Sequence, residues 1–429
     1  MIIKRDYYLN QLIGKEENKR VKVVTGIKRV GKSYLLNKLF YNYLIESGVN
    51  ENQIIVLRLD ELSNIKYRNP IYLNEYLNSS LVSNKMNYIF IDEIQFVEKI
   101  RNPYINDKDS YISFYEVLNE LLNKDNVDVY VTGSNSKMLS SDVLTEFRGR
   151  GDQIHLMPLS IYELSNFSNL SFDDLYNEYQ TYGGLPYVWL IKNEEGKSEY
   201  LKKLFNETYL VDVIERNKLT NTNELDQLVN VLASSIGSLT NPTKIENTFK
   251  SELKSNYARS SIVKHIEYLK QSFIISEANR FDIKGRKYIG ANSKYYFSDV
   301  GIRNAKLNFR QQEPTHLMEN IIYNQLIMLG YNVDVGVVEI NEKVGDAYKR
   351  KQLEIDFVIS KGDLKLYIQS AYKMDDSLKQ KQEKRAFLGI DDSFKKIVIV
   401  KDNFKPWYDD NGILILSLKD FLLSLDILK

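Results

Sequence analysis

Short apolar runs alternate with helical patterns over the first 130 residues of the chain. Leucine and aromatic side chains recur at helical spacing over residues 33–44, and a second helical pattern covers residues 114–122. The apolar runs have the length of buried strands, and they are residues 21–25, 53–59, 87–91 and 128–132. Strands that alternate with helices predict an α/β fold with a parallel sheet, in which ligands bind beyond the carboxyl ends of the strands.

The pattern changes after Pro158. Residues 159–222 have a helical pattern, and three short helices followed by a pair of strands come next, an order typical of a winged helix. The last part has the order helix, three strands, helix and strand. We therefore predict an α/β core (residues 1–158), a helical lid (159–222), a winged helix (223–312) and a second, C-terminal α/β domain (313–429).

The turn after the first strand matches the phosphate-binding motif G-x-x-x-x-G-K-[ST] in full, between a strand and a helix. In such a loop, backbone N–H groups surround a phosphate at the amino end of the helix. Lys32 would reach the β- and γ-phosphates, and the Ser33 hydroxyl would bind Mg²⁺. The predicted nucleotide-binding residues are Gly26, Ile27, Lys28, Arg29, Val30, Gly31, Lys32, Ser33 and Tyr34. A chance match in a strand–helix turn is the alternative.

A second motif follows at the expected distance, where the apolar strand at residues 87–91 ends in Asp92 and Glu93. Asp92 would hold the magnesium ion, directly or through water, and Glu93 would orient and deprotonate the attacking water. An ordinary polar strand end would explain either carboxylate alone. The two motifs in this order predict an enzyme that binds and hydrolyses a nucleoside triphosphate.

Further polar residues follow the fourth strand. Ser134 and Asn135 would sense the γ-phosphate, although Gly-Ser-Asn is also common in plain turns. Arg148 or Arg150 would neutralise charge in the transition state, acting from a neighbouring subunit in an oligomer. A solvated surface arginine is the alternative, and the sequence does not choose between the two positions.

Composition excludes several other classes of site. The chain has no cysteine and three histidines far apart, which argues against disulfides, zinc fingers and a histidine metal centre. Its net charge of +1 restricts any role in nucleic-acid binding to a local basic patch. No signal-like segment and no apolar run of membrane-spanning length is evident, so we expect a cytoplasmic protein without membrane association.

These motifs resemble the AAA-type P-loop ATPases with a C-terminal DUF4143 domain, within the archaeal-style STAND-like ATPases. The resemblance spans nearly the whole chain and implies ATP as the nucleotide, a winged-helix segment and a nuclease-like C-terminal fold. The absence of an Asn-Lys-x-Asp guanine-reading motif agrees with adenine. The stretches that carry the resemblance are VVTGIKRVGKSYLL, YIFIDEIQ, VTGSNSKML, FRGR with MPLSIYEL, YGGLP and KYYFSDVGIRNA.

The predicted winged helix is basic, with 14 Lys or Arg against 6 Asp or Glu over residues 244–310. This excess predicts contact with the phosphates of double-stranded DNA. A protein-contact module with a merely solvated charged face is the alternative. The candidate DNA-binding residues are Arg259, Lys264 and Lys270 on the third helix and Lys284, Arg286 and Lys287 at the wing tip.

The C-terminal domain resembles a PD-(D/E)xK nuclease core, with Glu319 on a helix and Glu354 and Asp356 on a strand. The Glu-x-Lys positions of that motif read Gln369-x-Ala371, and Lys373 stands at the wrong spacing. An amide and a methyl group cannot replace a metal-binding carboxylate and a catalytic ammonium. We therefore predict a degenerate, structural domain rather than a working nuclease.

Together these patterns predict an ATPase whose nucleotide state changes the placement of its other parts. One hypothesis couples ATP to DNA binding through the basic winged helix, and the alternative is a regulatory NTPase whose C-terminal half binds a protein. The sequence leaves open the partner, any DNA sequence preference, the oligomeric state and the pathway.

Overall fold

The computed structural model describes residues 3–134, 149–220, 222–344, 347–374 and 377–428. The chain divides into two compact units. The first contains Met1–Leu156 and Gln271–Phe273, and the second contains Met157–Lys270 and Ile274–Lys429.

A five-stranded parallel sheet forms the centre of the first unit, in the order β2-β3-β6-β1-β7. The strands are β1 (Val21–Thr25), β2 (Ile54–Arg58), β3 (Asn87–Asp92), β6 (Val127–Gly133) and β7 (Gly151–His155), and a small hairpin pairs β4 (Ile100–Arg101) with β5 (Tyr111–Ile112). Every residue of β1, β3 and β6 is buried, as expected for central strands covered on both faces. The prediction of an α/β fold with a parallel sheet is thereby confirmed.

The helices of the first unit pack on this sheet. Ser113 and Glu116 cap the amino end of one of them reciprocally, and its buried leucines join the core beside the apolar strands. The α-helices are α1 (Asp6–Ile13), α2 (Lys32–Tyr34), α3 (Tyr41–Glu46), α4 (Pro70–Ser80) and α5 (Phe114–Leu122). A π-helical segment (Leu35–Phe40) joins α2 to α3, and 3₁₀ turns cover Glu51–Gln53, Leu62–Arg68 and Ile94–Phe96.

Strand β7 is absent from the sequence-based prediction. Its sequence, GDQIH, holds one isoleucine among polar residues, because an edge strand needs little apolar surface. It pairs with β1 from Val21↔Gly151 to Thr25↔His155, so it ends beside the end of β1.

The second unit begins with helices and ends in an α/β arrangement. Its α-helices are α6 (Ile161–Ser165), α7 (Phe172–Tyr182), α8 (Glu194–Leu204), α9 (Val211–Asn217), α10 (Thr222–Ser234), α11 (Pro242–Ser251), α12 (Arg259–Gln271), α13 (Val300–Lys306), α14 (Pro314–Met328), α15 (Ser377–Leu388) and α16 (Leu418–Leu422). A 3₁₀ turn covers Pro186–Leu190, and a π-helical segment (Phe205–Leu210) joins α8 to α9.

One eight-stranded sheet runs through the second unit, in the order β14-β15-β13-β12-β11-β10-β8-β9. Its strands are β8 (Ile275–Asp282), β9 (Lys287–Phe297), β10 (Asn332–Val344), β11 (Ala347–Lys361), β12 (Leu364–Ala371), β13 (Lys395–Val400), β14 (Trp407–Tyr408) and β15 (Leu414–Ser417). The hairpin β8–β9 is the pair predicted as a wing. It continues the C-terminal sheet, because β8 pairs in parallel with β10 at Arg280↔Val335. The sequence pattern gave no sign of this pairing.

Two of the recognised sequence stretches, YGGLP and FSDVGIRNA, pack against each other in the second unit. The buried Asp299 carboxylate accepts hydrogen bonds from Gly184 N at 2.7 Å and from Ile302 N at 3.0 Å, so it caps α13 and holds the end of α7. A Cβ on Gly301 would lie 2.0 Å from Tyr182 O, and one on Gly183 would lie 2.1 Å from Asp299 Oδ1. These glycines are therefore required by close packing.

Within the described residues, no helix combines the length and the apolar character needed to cross a membrane.

Candidate nucleotide-binding site

Strand β1 delivers the chain into the glycine-rich loop at the carboxyl edge of the first sheet. Gly26 has a φ of +146°, and a Cβ there would lie 2.3 Å from Leu156 O. Gly31 has a φ of +99° and stands immediately before α2. Both positions favour glycine, because other residues rarely adopt such φ values and Gly26 also has no room for a side chain. The loop therefore keeps its backbone open at the amino end of a helix, where N–H groups bind anions.

Lys32 holds its ammonium over this loop. Its side chain is buried, and Nζ donates hydrogen bonds to Gly26 O at 3.1 Å and to Ile27 O at 3.3 Å. The charge is thus fixed beside the loop N–H groups, where a phosphate would need it.

The other predicted loop residues differ in exposure. Ile27 and Val30 are buried and anchor the loop, whereas Lys28 and Ser33 are half-buried. Arg29 and Tyr34 are exposed, and Arg29 has a φ of +66°.

Thr132 forms hydrogen bonds with both residues of the predicted pair Asp92 and Glu93. Asp92 is buried at the end of β3, and its Oδ1 accepts a hydrogen bond from the Thr132 hydroxyl. The same hydroxyl accepts a hydrogen bond from Glu93 N at 2.9 Å. Thr132 lies on β6 opposite Val24 of β1, one position before the strand end that enters the loop. One hydroxyl therefore holds the Asp92 carboxylate and the backbone of Glu93 beside the glycine-rich loop.

Glu93 has an unusual backbone for a non-glycine residue, with a φ of 56° and a ψ of 52°. Its half-buried carboxylate accepts a hydrogen bond from the Gln95 side-chain amide. Left-handed backbone at such a residue carries strain, and strain of this kind concentrates at functional sites. Because β3 ends at Asp92 and Glu93 is left-handed, the Glu93 side chain does not follow the direction that it would have if the strand continued.

Of the other predicted nucleotide-site residues, only Ser134 and Arg150 lie within the described part of the chain. Ser134 is 1% exposed, and its hydroxyl has no hydrogen-bond partner within the described part of the chain. Asn135 and Arg148 lie outside the described residues. Arg150 immediately precedes β7, and its carbonyl accepts a hydrogen bond from Val21 N at the start of β1. It therefore stands at the amino ends of the strands, opposite to the glycine-rich loop, and its role across subunits stays a prediction.

Two residues near the loop, besides Thr132, are not among those predicted from the sequence. His155 Nδ1 lies 3.3 Å from Thr25 Oγ1, and its ring packs against that of Phe273 at an angle of 42°, with 4.7 Å between centroids. Burial, and then the positive charge of Lys32, lower the pKa of His155 to about 4, so its ring is neutral at pH 7. Arg5 is buried and donates to Val30 O at 3.4 Å. Neither contact has a local sequence signal, because each depends on segments distant in the chain.

A nucleoside triphosphate with Mg²⁺ fits this set of residues. The loop backbone is open and preceded by a buried strand, and Lys32 supplies a fixed positive charge. The Ser33 hydroxyl and the Asp92 carboxylate are oxygen ligands of the type that Mg²⁺ prefers. The Ser134 hydroxyl is a buried polar atom at the same edge that a ligand could satisfy.

The candidate DNA-binding residues lie in the second unit. All of them except Lys270 are exposed: Arg259 and Lys264 on α12, and Lys284, Arg286 and Lys287 around the tip of the β8–β9 hairpin. Lys270 instead forms ion pairs with Glu277 at 2.8 Å and Glu267 at 3.1 Å. Burial alone would lower the pKa of Lys270, but these two carboxylates outweigh it and raise the pKa.

The basic count over residues 244–310 overstates the charge of this surface. Arg303 and Lys294 are buried, and Lys306 is paired with Asp226. These three positive charges act inside the second unit, so the surface excess is smaller than the sequence count of +8.

The three acidic residues of the nuclease-like motif lie close together, but they surround a lysine instead of an open metal position. Glu319 on α14 and Glu354 and Asp356 on β11 converge on one ammonium, that of Lys294 from β9. Gln369 is not directed at this ammonium, because its Oε1 accepts a hydrogen bond from Asp356 N at 3.3 Å. Ala371 is buried, and Lys373 is exposed. Over the described ranges, no group of three or more His, Asp or Glu side chains is arranged to hold a metal ion.

Two family models match the chain. One describes an AAA domain and matches residues 18–165, which include the loop, Asp92, Glu93 and Thr132. The other describes a domain of unknown function, DUF8612, and matches residues 173–313. The chain therefore carries an AAA domain of the P-loop ATPase type. The DUF4143 resemblance is not what the second match shows, and it stays a prediction.

Similar proteins cover most of the chain or nearly all of it. The chain resembles a solved structure of the Aeropyrum pernix ORC2 protein in ADPNP and ADP complexes, and the match covers 71% of this chain and 91% of that one. The sequence identity is 12% and the TM-score is 0.34, so this likeness is too distant to support a functional conclusion. An uncharacterised protein of Methanocaldococcus jannaschii is 27% identical over 418 residues, 94% of this chain and 85% of its own. An uncharacterised protein of Haemophilus influenzae is 30% identical over 429 residues, 99% of each chain. The chain therefore belongs to the same family as this Haemophilus influenzae protein, and its AAA domain occupies residues 18–165.

Proposed function

We propose that this protein binds ATP with Mg²⁺ and hydrolyses it at the carboxyl edge of the first sheet. The observation that carries the proposal is the Thr132 hydroxyl, which joins the Asp92 carboxylate to the Glu93 backbone and lies on β6, the neighbour of the strand that enters the glycine-rich loop. A purely structural turn has no need of two oriented carboxylates beside a phosphate-binding loop.

Each side chain then has a distinct role. The loop N–H groups and the Lys32 ammonium hold the β- and γ-phosphates and stabilise charge that develops on them. Asp92 and the Ser33 hydroxyl would hold the metal ion, which when bound neutralises phosphate charge. Glu93 orients a water molecule and accepts its proton, and Ser134 senses the terminal phosphate from the end of β6.

ATP hydrolysis by wild type, Lys32→Ala and Glu93→Gln tests this proposal. Lys32→Ala should lose both nucleotide binding and turnover, whereas Glu93→Gln should keep binding and lose turnover by roughly a hundredfold or more. Lys38→Ala is the matched control, because Lys38 is exposed on the helical segment that follows the loop. Absence of specific ATP binding by wild type, or full turnover by Glu93→Gln, would refute the assignment.

The nucleotide state would act on DNA through the second unit. The helices α10, α11 and α12 followed by the hairpin β8–β9 have the order of a winged helix, which supports this proposal. Arg259 and Lys264 are exposed on α12, and Lys284, Arg286 and Lys287 are exposed at the hairpin tip, where long basic side chains can reach phosphates.

A protein partner is the alternative, and apolar exposure on the same surface favours it. Val263 is 48% exposed between Arg259 and Lys264 in the sequence of α12, and Tyr288 is 64% exposed near the hairpin tip. Exposed apolar side chains beside charged ones are typical of a protein-contact surface. The acidic Glu267 is also exposed on α12 and would repel phosphates.

Duplex DNA binding at two salt concentrations separates these alternatives. For the DNA hypothesis, the double variant Lys264→Glu with Arg286→Glu should weaken binding by roughly ten- to a hundredfold and reduce its salt dependence. The double variant Lys192→Glu with Lys405→Glu is the charge-matched control, since both lysines are exposed elsewhere in the second unit. Unchanged DNA binding in the double variant would remove support for the DNA hypothesis. Nucleotide-dependent recovery of a protein partner that does not require DNA would then favour the alternative.

The finer assignments stay predictions. They are the four-part division of the chain, the winged helix, the DUF4143 type, the nuclease-like fold of the last part, an arginine acting across subunits, and a cytoplasmic location.

A further inference from the structure

Lys294 is a buried lysine whose ammonium meets three carboxylates. Nζ lies 2.6 Å from Glu354 Oε1, 2.8 Å from Glu319 Oε1 and 3.5 Å from Asp356 Oδ1. The Lys294 side chain is 2% exposed. An ammonium group has three hydrogens, so these three carboxylates can satisfy it completely. We refer to these four residues as the Lys294 cluster.

Three separate elements contribute to the Lys294 cluster. Lys294 belongs to β9, Glu319 to α14, and Glu354 and Asp356 to β11. Tyr296 follows two residues after Lys294 on the same face of β9, and its hydroxyl donates to Glu319 Oε1 at 2.5 Å. The cluster therefore connects the β8–β9 hairpin to the helix and strand of the C-terminal sheet.

The surroundings leave little freedom to the carboxylates. Asp356 Oδ2 accepts a hydrogen bond from Ser370 N at 2.8 Å, and a Cβ added to Gly237 would lie 3.1 Å from Glu319 Oε2. Asp356 and Glu319 are buried, and Glu354 is the more exposed carboxylate, at 35% of its side chain. Burial, and then the nearby Glu319 charge, raise the pKa of Asp356 to about 7.

Charge explains why a cation must stand among these oxygens. Two buried carboxylates and a third that is partly exposed repel each other, and the buried pair also loses hydration, which is costly without a positive partner. Burial by itself would lower the pKa of Lys294, but the three carboxylates outweigh it and hold the pKa above its usual value. Lys294 therefore stays charged and compensates the cluster from inside the fold.

We propose that Lys294 is the resident cation of this cluster, occupying with its ammonium the position among the carboxylates that a divalent metal ion would otherwise take. The ammonium joins the β8–β9 hairpin to the C-terminal sheet and, by repulsion and by filling the space, excludes divalent metal. The domain then lacks metal-dependent phosphodiester cleavage because an internal cation closes the position, in addition to the loss of the Glu-x-Lys residues. This inference is independent of the proposed nucleotide site.

Replacement of Lys294 by alanine tests the inference, because it leaves the carboxylates in place and removes the cation. Full-length Lys294→Ala, without nucleotide, should melt roughly 10 °C below wild type, since a buried charge cluster has lost its partner. Millimolar Mn²⁺ should restore about half or more of this loss in a saturable manner, because it binds the folded state. The melting temperature of wild type should not respond to Mn²⁺ under the same conditions.

Two variants control for general destabilisation. Lys384→Ala removes another lysine, with a 10% exposed side chain, whose Nζ lies 2.9 Å from one carboxylate, Asp409. It should lower the melting temperature without recovery in Mn²⁺, because a single carboxylate makes a poor metal site. The triple variant Lys294→Ala, Glu319→Gln, Glu354→Gln removes the excess negative charge with the cation. It should fold without metal and show no response to Mn²⁺, and it keeps the test decisive if Lys294→Ala alone does not fold.

A direct measurement of Mn²⁺ binding to the nucleotide-free wild-type protein completes the experiment. An Asp92→Asn background removes the carboxylate assigned to the metal ion at the nucleotide site, and with it the contribution of that site. We expect no stoichiometric Mn²⁺ binding and no DNA cleavage in Mn²⁺. Stoichiometric binding that Asp356→Asn abolishes, DNA cleavage that Asp356→Asn abolishes, or a Mn²⁺ response that persists in the triple variant would each overturn the inference.

Discussion

Replacing Thr132 by valine removes one hydroxyl from the candidate nucleotide site and keeps the branched shape of the side chain. That hydroxyl donates to Asp92 Oδ1 and accepts from Glu93 N at 2.9 Å. Thr132 is fully buried and Asp92 is 3% exposed, so water cannot replace the lost partners easily. The substitution therefore acts on the Asp92 carboxylate directly and on Glu93 through its backbone, and not on the bulk of the core.

The magnitude follows from the charged hydrogen bond. A hydrogen bond to a charged group contributes about 1.5–3 kcal/mol, and each 1.36 kcal/mol in a barrier changes a rate tenfold. If the hydroxyl holds Asp92 and Glu93 in their working positions, kcat for ATP hydrolysis should fall by roughly ten- to a hundredfold. The affinity for ATP should change by less than about threefold, because the loop and Lys32 supply the phosphate contacts.

Steady-state ATP hydrolysis and nucleotide binding, measured on the same preparations, check this prediction. Thr132→Ser keeps the hydroxyl and should retain most of the activity, which separates the hydrogen bond from the packing of the methyl group. Thermal unfolding of Thr132→Val reports any general loss of stability. A kcat for Thr132→Val equal to that of wild type would refute the role of the hydroxyl, and so would equal losses in valine and serine variants.

Three further perturbations test other parts of the structure. Gly301→Ala should lose about 2–4 kcal/mol of unfolding free energy, measured in urea, because its Cβ would meet Tyr182 O at 2.0 Å. Gly290→Ala is the control and should lose less than about 1 kcal/mol, because no atom lies within 4 Å of its Cβ. His155 has a folded pKa of about 4, below its unfolded value, so it stabilises the fold above about pH 6.5 and stops doing so as the pH falls toward 4. The loss of unfolding free energy is at most about 3 kcal/mol. His155→Gln should therefore make the unfolding free energy less dependent on pH between pH 7 and 4.5. Ser134→Ala should leave the melting temperature unchanged and lower ATP turnover by roughly tenfold, and a drop in stability with unchanged turnover would contradict its role as a sensor.

The phosphate-binding loop was predictable because all of its determinants are local. A buried strand, two glycines at fixed spacing, a lysine and the start of a helix fall within 14 residues, and the structure places them in that order from β1 to α2. The strand ending in Asp92 is readable for the same reason, since a continuous apolar run predicts a central parallel strand. The parallel sheet followed from the alternation of such runs with helical patterns.

The bridge made by Thr132 could not be predicted, because it depends on which strands are neighbours. Sequence order places β6 after β3, but only the sheet order β2-β3-β6-β1-β7 puts Thr132 between Asp92 and the strand that enters the loop. The sequence pattern favoured Ser134 and Asn135 instead, because they stand at the visible turn. It gave no indication of His155, which acts from an edge strand with a weak apolar pattern.

Tertiary structure also decided how the charges of the second half are used. The sequence determined that residues 244–310 carry an excess of basic side chains, and that the Glu-x-Lys positions of a nuclease motif are lost. It could not determine that Lys294 is buried, because its partners Glu319 and Asp356 lie 25 and 62 residues away. Local patterns record which residues favour a strand, a helix or a phosphate loop. Whether a charge meets solvent, a nucleic acid or a buried carboxylate depends on packing between distant segments, and that is set only when the sheet is assembled.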